Sequence, residues 1–179
     1  LFRVDAGGLV GLGHYYRSLH LANLLKHEGN SVIFCHKPSS FWDNVSLEFP
    51  FQHFILNEHE IEEQSIILKY EIDVFYVDGI IDFSIEFILE LKKYARIVFY
   101  QNLSSSRWQA NLFILPSIHN KASFVLDKPN NILFYNGLEY LIFNQAITKL
   151  TPKTSVSQTV KRIAIVAGGS DPTDTLKRI

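Results

Sequence analysis

Short apolar runs alternate with amphipathic stretches along almost the whole chain. After an apolar stub (Leu1, Phe2, Val4), residues 15–28 place Ser18, Leu21, Ala22 and Leu25 on one helical face, and Gly29-Asn30 is a stop signal. SVIFCH (31–36) reads as a buried strand and FQHFIL (51–56) as a weaker one. A helix is expected at about 58–70, with Glu58, Glu60, Glu62 and Glu63 in its first turns, where the helix dipole favours acids. DVFYVD (73–78) is the clearest strand. Residues 82–95 form a helix pattern with Phe83, Phe87, Ile88, Leu91 and Ala95 on its apolar stripe, closing on Lys92-Lys93. RIVFYQ (96–101), LFIL (112–115) and NILFYNG (131–137) are further strand candidates. Continuous apolar strands separated by helices predict an α/β protein: a Rossmann-like parallel sheet with helices on both faces.

The texture changes near residue 150. TPKTSVSQT (151–159) is polar, carries Pro152 and has no periodicity, so residues 150–160 are expected to be an interdomain linker. RIAIVAGGSDPTD (162–174) then repeats the opening design of an apolar strand, two glycines and a helix start. The expected organisation is a Rossmann-like domain over 1–149 and the first strand and helix start of a second, C-terminal domain over 161–179. The chain has no methionine, its first residue already lies in an apolar run, and Lys177-Arg178-Ile179 lie in a nascent helix. It therefore reads as a piece of a longer protein.

Composition narrows the class. Of 179 residues, 47% are hydrophobic and 20% charged, enough to build one core. A net charge of −1 argues against a nucleic-acid surface. No apolar stretch approaches the length of a membrane span, and no basic segment precedes an apolar signal-like one. The single cysteine, Cys35, sits in an apolar run and reads as a core residue of a protein from a reducing, cytoplasmic compartment.

The candidate chemistry is at the start. A loop with Gly7, Gly8, Gly11 and Gly13 leads into His14 and a helix. The spacing is neither the dinucleotide fingerprint nor a P-loop. A plain strand-to-helix connection with a capping histidine is the alternative to a site. Such a turn lets a ligand approach backbone N–H groups, the helix N-terminus favours an anion, and His14 adds a titratable group. Asp5 and Asp78 end strands at the edge where open α/β sheets place ligands; loop capping and other structural roles are the alternatives. Arg17 lies one turn past His14, where it either pairs with Asp5, meets a leaving group or faces solvent. The remaining histidines show no metal-ligand spacing, and no metal or cofactor is expected. Trp42 and Trp108 lie in polar surroundings, placed either at the surface or along a cleft.

Residues 2–22 (FRVDAGGLVGLGHYYRSLHLA) resemble the opening of the UDP-sugar hydrolases of pseudaminic acid biosynthesis. They are equally similar to relatives among spore-coat polysaccharide biosynthesis proteins, which share a glycosyltransferase-B-like two-domain fold. The family pattern of Arg-x-Asp, Gly-x-Gly-His and then Arg is met by Arg3, Asp5, Gly11, Gly13, His14 and Arg17. Gly137–Ile142 resembles the Gly-x-x-Tyr-apolar-apolar segment closing the first domain, and Ala167–Asp171 the Gly-Gly-Thr/Ser-Asp turn opening the second. The chain departs from the pattern where no Tyr follows Asp78, where Tyr100-Gln101 replaces an acidic pair, and where Asn144 stands in place of an Arg.

The resemblance implies cleavage of a UDP-linked amino-deoxy sugar at its anomeric carbon, with water as acceptor and UDP released. His14 would be the catalytic base; a phosphate or sugar contact and a structural cap are its other readings. Gly11 and Gly13 would let sugar or diphosphate lie against the backbone, unless they only make the turn tight. Asp5, Arg17 and Asp78 complete the substrate-binding set, with Gly168, Gly169 and Ser170 holding the diphosphate from the second domain. Two further readings use the same features. One is a glycosyltransferase with a UDP-sugar donor, the other a noncatalytic sugar-nucleotide-binding subunit.

Overall fold

The computed structural model describes residues 1–117, 129, 131–152, 154–155 and 158–165. Seven strands form one sheet: β1 (Phe2–Val4), β2 (Ile33–His36), β3 (Gln52–Ile55), β4 (Val74–Asp78), β5 (Arg96–Tyr100), β6 (Leu112–Leu115) and β7 (Leu133–Asn136). All neighbouring pairs are parallel and the order is β3-β2-β1-β4-β5-β6-β7. The expected Rossmann-like α/β sheet is thus the fold of the protein.

Strand alternation divides the core between two faces. Phe2, Val4, Phe34, Tyr76 and Tyr100 pack toward α1 (Gly13–His27), with Ala22 buried and Leu19, Leu21 and Leu25 partly so. On the other face Cys35, Phe75, Val77, Ile97, Phe99 and Phe113 meet α3 (Ile61–Lys69) and α4 (Ile85–Leu91). The stripe expected of α4 is buried at all five positions, Phe83, Phe87, Ile88, Leu91 and Ala95. Its helix is shorter than the pattern because Ser84 caps it, accepting from the Phe87 N–H. Helix α1 ends as Gly29-Asn30 predicts, in a Schellman motif with Asn30 N–H on the Leu25 carbonyl and Gly29 N–H on that of Lys26. Cys35 is fully buried, and burial pushes its thiol pKa up, as befits a core residue.

The aromatics depart from expectation. Trp42 lies in α2 (Ser40–Val45), a short helix capped by Ser39 that the hydropathy pattern does not announce. It is buried and stacked on His36, with ring centroids 3.7 Å apart. Trp108 is also buried, packed on Phe113 and Phe134. Both indoles are core side chains; neither lies at the surface or along a cleft. Residues 162–165, expected to open a strand, take no regular element, and Ile163 and Ile165 are exposed. The rest of that expected strand and the helix start after it, residues 166–174, lie outside the described residues.

His36 gives the fold an acid limit. Its Nδ1–H donates to the Lys37 carbonyl at 2.9 Å, which leaves Nε2 to accept from His53 Nδ1–H at 3.0 Å. Burial holds its pKa down to about 4, against an ordinary 6.5. Below about pH 6.5 the unfolded chain takes up this proton while the folded chain refuses it until about pH 4. Stability therefore falls as pH falls through that window, by on the order of 3 kcal/mol from this group, and is unaffected by it above. Urea melts at pH 7 and pH 4.5 should show this loss in the wild type and a smaller one in His36→Gln. Parallel losses in the two proteins would refute the assignment.

Candidate functional site

β1 and β4 lie side by side, and their connections depart in opposite directions, through α1 to β2 and through α4 to β5. The crevice at their carboxyl ends is the topological switch point, where doubly wound sheets bind ligands. Two elements converge there. The Gly7–Leu12 loop delivers the first turn of α1 from one side, and β4 ends on Asp78 at the other.

The loop is built for packing as well as for access. Gly7 N–H donates to the Gly11 carbonyl at 3.0 Å, closing a tight turn. A Cβ on Gly7 would lie 2.8 Å from that of Phe41, so this glycine seats the loop on α2. Gly11, at φ +74°, makes the turn. Gly13 differs, because it is the first residue of α1 and nothing lies within 4 Å of where its Cβ would be. Leu12 supplies no side-chain cap to the first turn of α1.

His14, Arg17 and Ser18 follow at spacings of three and four, which puts them on one face of α1. All three meet Asp78, which is fully buried. Ser18 Oγ donates to Asp78 Oδ2 at 3.0 Å and Arg17 Nε donates to the same oxygen at 2.6 Å. Arg17 Nη2 donates to Oδ1, and His14 Nδ1 lies 2.9 Å from that oxygen. Arg17 Nη2 also lies 2.6 Å from His14 Nδ1. Burial disfavours the guanidinium charge, but its hydrogen bond to Asp78 and the carboxylate charge outweigh that, and the Arg17 pKa is raised. The Tyr100 ring lies under the guanidinium, 4.9 Å from Cζ to centroid, and its hydroxyl donates to the Tyr140 carbonyl at 3.0 Å. The Gly137–Ile142 segment is thereby tied to the back of the site.

The residues singled out in the sequence are only partly brought together. His14, Arg17 and Asp78 form one cluster. Arg17 pairs with Asp78 and not with Asp5, because Asp5 is engaged on the far side of β1. There it accepts from the Arg3 guanidinium and from the Lys37 N–H at 2.8 Å. Burial alone would raise the Asp5 pKa; the Arg3 and Lys37 contacts outweigh it and lower it. Gly168, Gly169 and Ser170 lie outside the described residues. Asn144 caps a helical turn, Gln145–Thr148, by accepting from the Ala146 N–H.

Three members of the site were not anticipated. Ser18 falls on the apolar face of the helical pattern, although its spacing of four from His14 carries a signal. Gly79 has φ +118°, which favours glycine, and a Cβ there would press on the His14 ring at 3.3–3.5 Å, beside its contact with Asp78. Tyr100 left no signal, since the strand pattern explains any aromatic there. A groove of about 540 Å³ lined by His20, Asn23, Leu24, His27, Glu28, Phe143 and Asn144 runs along the later turns of α1. It shares no residue with the Asp78 cluster. Among the described residues, no group of three or more His, Cys, Asp or Glu side chains could hold a metal ion.

Fold and site together define a Rossmann-like α/β domain with a histidine–carboxylate–arginine cluster at its switch point. No protein-family model matches the chain. It is similar to an uncharacterized protein of Methanocaldococcus jannaschii, at 29% identity over 181 residues covering 95% of this chain and 36% of that protein. The chain thus spans about a third of the length of this curated relative. No helix among the described residues is long and apolar enough to cross a membrane.

Proposed function

We propose that this domain carries the base of a hydrolase acting on a UDP-activated amino-deoxy sugar, in nonulosonic-acid or surface-polysaccharide synthesis in the cytoplasm. The observation that carries the reading is His14 on the first turn of α1, backed by buried Asp78 at the switch point of the sheet. The residue pattern around His14 supplies the substrate class. In this reaction His14 Nε2 takes a proton from water as the water oxygen bonds to the anomeric carbon. The bond from that carbon to the diphosphate oxygen breaks, and its electron pair leaves with UDP. Asp78 orients the imidazole, while Arg17 and the N–H groups at Gly13 and His14 face the departing charge. Asp5 stands at the neighbouring strand end as a further substrate contact. A second, C-terminal domain, with the turn at Gly168, Gly169 and Ser170, would close the cleft and bind the nucleotide.

The test uses the full-length protein with UDP-linked di-N-acetyl trideoxyhexose, following UDP by phosphorus NMR. Release without any acceptor is expected, and His14→Ala should slow it by about 10²–10⁴-fold. Release only when a sugar acceptor is added would make the protein a glycosyltransferase. UDP binding with no product under either condition would make it a binding subunit.

A further inference from the structure

His14 Nδ1 has a single in-plane position, filled by a proton or by a lone pair, and two neighbours compete for it. Asp78 Oδ1, at 2.9 Å, can only accept; Arg17 Nη2, at 2.6 Å, can only donate. Nδ1 cannot serve both. Three features favour Arg17. It is the nearer neighbour. Its Nη2 carries two hydrogens, so one can reach Asp78 Oδ1 while the other reaches Nδ1. Asp78 is already supplied on both oxygens by Arg17 and Ser18 and does not need the imidazole. A neutral His14 that accepts from Arg17 at Nδ1 must carry its proton on Nε2. In that tautomer the outer nitrogen is a donor and cannot act as a base.

We infer that Arg17 is a ligand-responsive positioning residue that holds His14 in the inactive Nε2–H tautomer until a diphosphate draws its guanidinium away. This rests on the hydrolase reading of the site and adds a regulatory step to it. Helical side chains lean toward the helix N-terminus, so Arg17 lies over the turn that would receive the anion. A phosphate offers the guanidinium a bidentate partner. Once Nη2 leaves, Nδ1 gains a proton and donates it to Asp78 Oδ1, while Nε2 loses its own. Water supplies the one and accepts the other, so the net charge of the imidazole is unchanged. His14 is 18% exposed, which gives water access. The base is thus created only beside a bound diphosphate, and water activation in the empty site is avoided.

The experiment is nitrogen–proton correlation NMR on the full-length protein labelled with ¹⁵N-histidine, with the His14 signals assigned by their loss in His14→Gln. The ligand-free protein should show His14 protonated at Nε2. Saturating UDP, its binding confirmed separately by its phosphorus shifts, should move the proton to Nδ1. Arg17→Met should show the Nδ1–H form without ligand. If that variant does not fold, Arg17→Lys, which keeps the charge but loses the forked donor, serves in its place. An Nδ1–H form in the free wild type, or bound UDP that leaves the Nε2–H form in place, overturns the inference and leaves the hydrolase reading standing. Failure of UDP to bind overturns the hydrolase reading instead, and the Arg17 variants then decide whether Arg17 sets the tautomer.

Discussion

Arg3→Met should destabilise the protein by about 3–5 kcal/mol, the range for removing one member of a buried ion pair. That is a large part of the stability of an ordinary domain. Arg3 sits on β1 with its side chain fully buried, and Nε donates to Glu63 on α3 at 2.9 Å. Both ends of its fork reach Asp5. Burial opposes the guanidinium charge, but Asp5 and Glu63 outweigh it and raise the Arg3 pKa. Glu63 is equally buried, and its Oε2 has no hydrogen-bond partner. With methionine at position 3, Glu63 keeps His59 Nδ1, at 2.9 Å, beside its Oε1, and it loses the guanidinium. The control is Arg3→Met with Glu63→Leu, which removes the two fully buried charges and leaves Asp5 with the Lys37 N–H alone, so it should recover part of the loss, since apolar replacement of a buried pair is often neutral or better. Guanidinium melts of the wild type, single and double variants measure both effects. A single variant within about 1 kcal/mol of wild type would show that the pair contributes little.

Asp78→Ala should cost about 3 kcal/mol or more in stability and also abolish any turnover that depends on His14. It removes the acceptor of two Arg17 donors and of the Ser18 hydroxyl, and it strips the imidazole of its carboxylate. Arg17, only 19% exposed, would then hold its charge against Tyr100 with no counter-ion. Adding Arg17→Met should restore part of the stability, because the two residues share one interaction and their effects are not additive. It should restore none of the activity. Melting curves and UDP-release assays on the same four proteins separate the two roles. Full additivity in stability would disprove the Arg17–Asp78 coupling.

The legible parts of this chain are those where a local period matches a burial period. The stripe of α4 was readable at Phe87, Ile88 and Leu91 because one helix face against one sheet face leaves a 3.6-residue record. β4 and β5 were readable because strands covered on both faces are apolar throughout. Helix α2 was not, because it is too short to leave a period and Trp42 looked polar by its neighbours alone. The real context of Trp42 is His36 and His53, on β2 and β3, which the fold brings against it. His14 was legible as a site candidate through its glycine loop. Its partner was not: Asp5 and Asp78 are both strand-end carboxylates, and nothing local says which one a helix will face.

The sequence by itself therefore determined the class of fold and, through the glycine loop and the strand-end carboxylates, which residue types lie at the carboxyl edge of the sheet. These are written in neighbouring residues, as periodicity, caps and turns. The tertiary structure alone decided that Arg17 crosses to Asp78 while Asp5 turns to Arg3. It decided as well that Gly79 makes room for the imidazole and that Tyr100 backs the guanidinium. Apart from Asp5 with Arg3, those pairings join residues more than sixty positions apart, such as His14 and Asp78. They follow from the side-by-side placement of β1 and β4, which no local pattern encodes.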